Sequence, residues 1–286
     1  MRLIFRRFIF FSYIIASSFS TILCINSKAD RPALAMLVPL KCDLLDLCST
    51  KDTRFGMIGD SWSDILEGTP LVRDLHDQLV YKWGYRIDAD VESGRKLSDV
   101  TNSKNHLKLI RENPRLEYIL VSLGGNDLFD ETGKYSLGEL QGKDDLGDRL
   151  DGLQKQILLI IEEGNSLKKI LYGGENLRWI FHSYDYPNPS IDGKCIRGIM
   201  QSGTGEFLPD AYRWLDKITK GWGDVLSGIQ KQRADFQYID LRGTLGGPPT
   251  SNSKLMLDCI HPNSDGFNLI GDKYVLELQK ITPNKF

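Results

Sequence analysis

A chain of 286 residues with 41% apolar and 26% charged residues has the composition of a globular protein with a sizeable core. Its formal net charge of −2 does not supply the basic stripe that a nucleic-acid partner requires. No internal repeat and no low-complexity segment appears along it.

The first 29 residues differ from the rest. Arg2, Arg6 and Arg7 precede Phe8 to Ile25, a mostly apolar stretch diluted by Ser and Thr, and Ser27-Lys28-Ala29 offers small residues three and one positions before a cut. This is the layout of a secretory signal peptide over residues 1–29, followed by an N-terminal extension over 30–53. A retained membrane anchor over residues 8–25 is the alternative, since that stretch is just long enough to cross a bilayer. A lipoprotein signal ending at Cys24 is a third, weakened by the bulky Leu23. Cleavage would remove Arg2, Arg6, Arg7, Lys28 and no acid, taking the net charge from −2 to −6. Cys42, Cys48, Cys195 and Cys259 would remain, an even set that in an exported protein suggests disulfides. Cys42 and Cys48 are closest in sequence and Cys195 would then bridge to Cys259; the three pairings and free buried thiols all stay open.

From Arg54 onward, short apolar runs alternate with helix-length amphipathic stretches. The expected strands are Phe55–Ile58, Tyr85–Val91, Tyr118–Leu123, Leu177–His182 and Phe236–Leu241. Most are nearly uninterrupted apolar runs, which suits a parallel sheet covered on both faces. The second alternates, like an edge strand with one wet face. Helices are expected over about Leu71–Trp83, Leu97–Glu112, Leu146–Glu163, Ala211–Arg233 and Ser264–Gln279, with Leu150, Leu153, Ile157, Ile160 and Ile161 facing the sheet. Five strands separated by helices predict a three-layer α/β/α domain over residues 54–286. Asp185 to Glu206 is too irregular for sheet or helix and reads as a wall or lid over a site.

The chemistry concentrates at predicted strand ends, where such sheets bind ligands. Gly59-Asp60-Ser61 follows the first strand and Gly124-Gly125-Asn126-Asp127 follows the third, while Asp258-Cys259-Ile260-His261-Pro262 precedes the last helix. Serine is a weak nucleophile until a neighbouring base takes its proton. His261 is the natural base among four histidines, and Asp258, three residues earlier on a tight loop, can orient it. Asn263 or Ser264 can cap the following helix and so pin that loop. Each motif alone reads as a turn or a helix cap. Together they predict a nucleophilic acyl-transfer site.

On these motifs, together with Gly94 in Ser93-Gly94-Arg95, the chain resembles the SGNH hydrolases of the GDSL esterase/lipase superfamily over residues 54 to 280. The resemblance implies a flavodoxin-like sheet, Ser61 as nucleophile, His261 as base and Asp258 as its orienting acid. It also implies an oxyanion hole from the backbone N–H groups of Ser61 and Gly94 and the Asn126 side-chain amide. Trp62 departs from the Leu common at that position, either narrowing an acyl pocket or filling core. His182 ends a strand and reads as a structural histidine, with Tyr184 and Tyr186 expected to line the cleft. No metal or other cofactor is expected, because no zinc-type or P-loop motif is present, and no Gly-x-Ser-x-Gly elbow suggests the ordinary α/β-hydrolase fold.

The expected activity is hydrolysis of a small-molecule, lipid or glycan ester in an exported protein. Carbohydrate O-acetylester, lysophospholipid and thioester substrates share the mechanism. A non-catalytic glycan- or lipid-binding module on the same shell is the rival class.

Overall fold

The computed structural model describes residues 53–65, 72–191 and 207–282. Within residues 50–169 and 174–286, which form one compact unit, five strands make a single parallel sheet. They are β1 (Phe55–Gly59), β2 (Ile87–Val91), β3 (Tyr118–Ser122), β4 (Arg178–His182) and β5 (Phe236–Ile239), in the spatial order β2-β1-β3-β4-β5. All five expected strands are present. Every residue of β1 and β3 is buried, whereas β2 lies at the sheet edge as expected and is only partly buried except at Asp88. The fold is the three-layer α/β/α, flavodoxin-like arrangement.

The helices that bear on the site are α1 (Leu75–Asp77, continuing through a π turn over Gln78–Lys82), α2 (Leu97–Ser103), α3 (Asn105–Glu112), α4 (Gly125–Phe129), α5 (Thr132–Leu140), α6 (Asp145–Tyr172), α7 (Phe207–Gln232) and α8 (Ser264–Ile281). Three differ from expectation for identifiable reasons. The predicted Leu97–Glu112 helix is two, broken at Lys104, which adopts left-handed φ 58°. The break buries His106 and lets Lys104 Nζ meet the Glu163 carboxylate of α6 at 2.7 Å. Next, α6 runs nine residues past Glu163. Gly164 does not terminate it but makes room for β4: a Cβ there would sit 2.4 Å from the Trp179 ring. Asn165 then serves the sheet, accepting from Leu177 N and Trp179 Nε1 and donating to Asp235. Finally, α4 and α5 were unexpected, because Gly-Gly-Asn-Asp has the composition of a turn.

Leu153, Ile157, Ile160 and Ile161 of α6 are core, while Leu150 is only partly buried. Residues 1–52, and with them the signal, all but the last residue of the extension, and Cys24, Cys42 and Cys48, lie outside the described residues, as does Cys195. Among the described residues, no helix is long and apolar enough to cross a membrane.

Candidate active site

The chain leaves β1 and crosses to β2 on one side, while β3 lies on the other, so the carboxyl ends of β1 and β3 flank a topological switch point. The residues expected to carry chemistry are gathered there. Gly59, the last residue of β1, stands opposite Ser122 of β3 and Val91 of β2. A Cβ on Gly59 would fall 1.9 Å from Ser63 Oγ, so only glycine lets the chain turn back tightly enough to present Ser61. The turn closes through Ser63 N to Asp60 O at 2.9 Å and is stitched to β3 through Asp60 N to Ser122 O at 2.9 Å.

Ser61 Oγ lies 2.7 Å from His261 Nε2 although 200 positions separate them. The other ring nitrogen, Nδ1, is 2.8 Å from Asp258 Oδ2. Asp258 Oδ1 accepts the backbone N–H groups of Ile260 at 2.8 Å and His261 at 2.7 Å, which closes the four-residue loop on itself. Burial pushes the Asp258 carboxyl up, but the hydrogen bond and charge of His261 and these two N–H groups outweigh it, leaving it below the usual carboxylate range. The loop is anchored at both ends. Leu257 N donates to His261 O, Met256 bridges Pro262, and Asn263 caps α8 by accepting from Gly266 N at 3.0 Å. A hydroxyl bonded to an imidazole that is itself bonded to a carboxylate can lose its proton to the ring as it attacks an electrophile.

Gly94 and Asn126 are linked to each other. Gly94 has φ 80° with open space where a Cβ would stand, so its need for glycine is conformational. The next residue, Arg95, is buried and clamped to Asp90 and Glu92, and its carbonyl accepts from Asn126 Nδ2 at 3.2 Å. An amide nitrogen carries two donors, and this bond engages one of them. Gly124, at φ 110°, caps α4 against the Trp222 ring, with room for no Cβ.

Several residues that hold this geometry had no such role, or in the case of Tyr184 a different one, in the sequence reading. Asp127 is fully buried; it accepts from Leu97 N at 2.9 Å and Arg149 Nη2 at 3.1 Å, tying the Gly94 loop to α4 and α6. Asp60 accepts from Trp62 N and Ser122 Oγ, both at 3.1 Å, and from the Tyr184 hydroxyl. Burial pushes its carboxyl up to about 6 against those hydrogen bonds and the attraction of His261. Asp127 had a sequence signal in its motif and Arg149 had none; Tyr184 was expected in the cleft, and its bond to Asp60 was hidden because the two are distant in the chain.

Three expectations about aromatic and histidine residues resolve here. Trp62 is core: it is 1% exposed and packs edge-to-face on Tyr184 and Phe267. Tyr184 and Tyr186 do not line an open cleft but are buried, 3% and 6% exposed, beneath it. His182 is buried among Trp62, Tyr184 and Tyr274, and burial pushes it down to about 4, which keeps it neutral. Its Nδ1 meets Ser183 O at 2.8 Å, while Nε2 has no hydrogen-bond partner among the described residues. The segment expected as a wall or lid is a buried brace as far as residue 189: Asp185 accepts from Gly243 N and Leu245 N, and Asn188 N donates to Cys259 O in the His261 loop. Residues 192–206 lie outside the described residues.

For a metal, the described residues offer one group with ligand atoms within 4.8 Å of one another, Asp74, His76 and Asp77. Asp74 is already used there as the N-cap of α1 and as acceptor for Ile65 N.

No family profile and no curated protein matches this sequence. Solved structures do match its fold. A lipase from a goat rumen metagenome superposes with TM-score 0.54 at 16% identity, covering 78% of this chain and 95% of its own. A GDSL-like lipase from Bacteroides thetaiotaomicron gives 0.53 at 13% identity, with 85% and 98% covered. An acetyl-xylooligosaccharide esterase mutant from Geobacillus gives 0.51 at 14% identity, with 80% and 96% covered.

Proposed function

We propose that this chain, whose fold is that of the SGNH/GDSL hydrolases, cleaves carboxylic esters with Ser61 as nucleophile, His261 as general base and Asp258 as its orienting acid. The observation that carries the reading is the continuous relay from Ser61 Oγ to His261 Nε2 at 2.7 Å and from Nδ1 to Asp258 at 2.8 Å. Its position at the carboxyl ends of β1 and β3 supports it further.

Ser61 Oγ attacks the ester carbonyl while His261 takes the hydroxyl proton. Negative charge gathers on the carbonyl oxygen, where the N–H groups of Ser61 and Gly94 and the Asn126 amide receive it. Removing one such donor costs about 10²–10³ in turnover. The tetrahedral centre collapses to an acyl-enzyme as His261 hands its proton to the leaving alcohol. Water then repeats the cycle and releases the acid. Because His261 must accept a proton, activity falls under acidic conditions.

Ser61→Ala is the decisive variant. Cleavage of p-nitrophenyl acetate and butyrate should drop to background with an unchanged circular dichroism spectrum, and a variant that kept most of its turnover would refute the assignment. Labelling by a fluorophosphonate probe separates this reading from a binding module on the same shell, which would leave Ser61 unmodified while binding a glycan or lipid saturably.

The similar structures include both a lipase and an acetyl-xylooligosaccharide esterase, so the acyl group is the open variable within the class. An acyl-chain series on purified protein divides the candidates. A sharp fall beyond acetyl points to carbohydrate deacetylation, and a preference for longer chains points to lipid or thioester substrates. We also read residues 1–29 as an export signal, which N-terminal sequencing of the extracytoplasmic protein tests directly.

A further inference from the structure

One tyrosine joins both strand-end loops of the site. The Tyr184 hydroxyl donates to Asp60 Oδ2, one residue before Ser61, while its ring packs on Gly125, one residue before Asn126. The ring is wedged between the same two loops. It meets Trp62 edge-to-face at 5.1 Å and Phe129 at 6.3 Å, and a Cβ on Gly125 would fall 2.9 Å from its Cζ. Burial and the neighbouring Asp60 charge keep the phenol protonated, which fixes the direction of the bond as hydroxyl to carboxylate. The other Asp60 oxygen accepts from Trp62 N and Ser122 Oγ. Three segments, leaving β1, β3 and β4, therefore converge on a single carboxylate.

We infer that Tyr184 is a positioning residue that sets the spacing between the Ser61 hydroxyl and the Asn126 amide, holding Asp60 through its hydroxyl while its ring rests on Gly125. The inference rests on the ester-hydrolase reading, because that spacing matters only if attack at Ser61 and charge capture at Asn126 happen together. A displacement of about 1 Å between reacting groups can cost about 10²-fold in rate. Asp60 also attracts His261. A carboxylate that loses a donor holds its charge less well, and then the imidazolium formed during attack loses support.

Tyr184→Phe keeps the wedge and removes the oxygen. We expect kcat on p-nitrophenyl acetate to fall about 10- to 100-fold with KM nearly unchanged, and the acid limb of the kcat profile to move to lower pH as the protonated imidazole loses the support of the Asp60 charge. Asp60→Asn made alone and together with Tyr184→Phe should give a double variant no slower than the slower single one, since both act through one bond. A merely structural tyrosine would lower the melting temperature and leave kcat of the folded fraction and its pH profile in place; that outcome, or rate losses that multiply, overturns the inference. Should Tyr184→Phe not fold, Asp60→Asn alone decides: a fall in kcat at constant KM supports the bridge and an unchanged kcat removes it. A wild-type protein that neither hydrolyses nor labels at Ser61 sinks the ester-hydrolase reading instead. The bridge is then judged without turnover, by whether Tyr184→Phe moves to higher pH the interval over which Asp60 alters unfolding free energy. An interval that stays in place ends it.

Discussion

Asp60 sits one residue from the Ser61 hydroxyl, fully buried, yet among the described residues no lysine or arginine side chain hydrogen-bonds to it. Burial pushes its carboxyl up to about 6 from an unfolded value near 3.8, against its hydrogen bonds and the attraction of His261. The sign of the linkage follows. Between those two values the folded chain holds a proton that the unfolded chain has released. The stability that Asp60 contributes is therefore complete below about pH 4 and is lost as pH rises through about 6. Urea unfolding of wild type and Asp60→Asn at a series of pH values should show their difference declining across that interval by at most about 3 kcal/mol, then staying level. A difference that grows with pH would contradict the burial argument.

At the scale of elements, two glycines make opposite demands on function for the same steric reason. Gly124 caps α4 at φ 110° with the Trp222 ring where a Cβ would stand, and α4 carries Asn126. Gly164 lies in α6 against Trp179, near the amino end of β4 and so at the far edge of the sheet from the site. Alanine at either position overpacks by about 1–3 kcal/mol, and the left-handed backbone adds about 1–3 kcal/mol at position 124. Gly124→Ala should therefore lose turnover in the folded protein as well as stability, whereas Gly164→Ala should lose stability alone. Melting temperatures set against kcat per folded molecule separate the two outcomes.

For the whole molecule, stability rests on helices pressed against both faces of the sheet. Ile157 of α6 is fully buried in that core. Ile157→Ala should lower the unfolding free energy by about 2–5 kcal/mol, read as a lower urea midpoint at an unchanged slope. A loss well under 1 kcal/mol would mean that the layer repacks freely and that α6 is not the rigid support described above.

The class of fold was legible because burial on both faces leaves a local mark: apolar runs at Phe55–Ile58 and Tyr118–Leu123 can only be covered strands in a chain that alternates them with helices. The residues gathered at the strand ends left local marks too, since Ser61, Asn126 and His261 each sit within three residues of an element boundary that turn and cap chemistry announces. Other features depended on partners remote in sequence. The β2-β1-β3 strand order brings the Ser61 and Asn126 loops side by side. Gly164 became a packing residue instead of a helix stop because of Trp179, and Lys104 broke a helix where it meets Glu163. Tyr184, expected to line an open cleft, is instead buried with its hydroxyl on Asp60, 124 positions away. Periodicity reports which face of an element is buried; only the closed chain decides what it is buried against, and that second fact turns a serine, an amide and a histidine into one site.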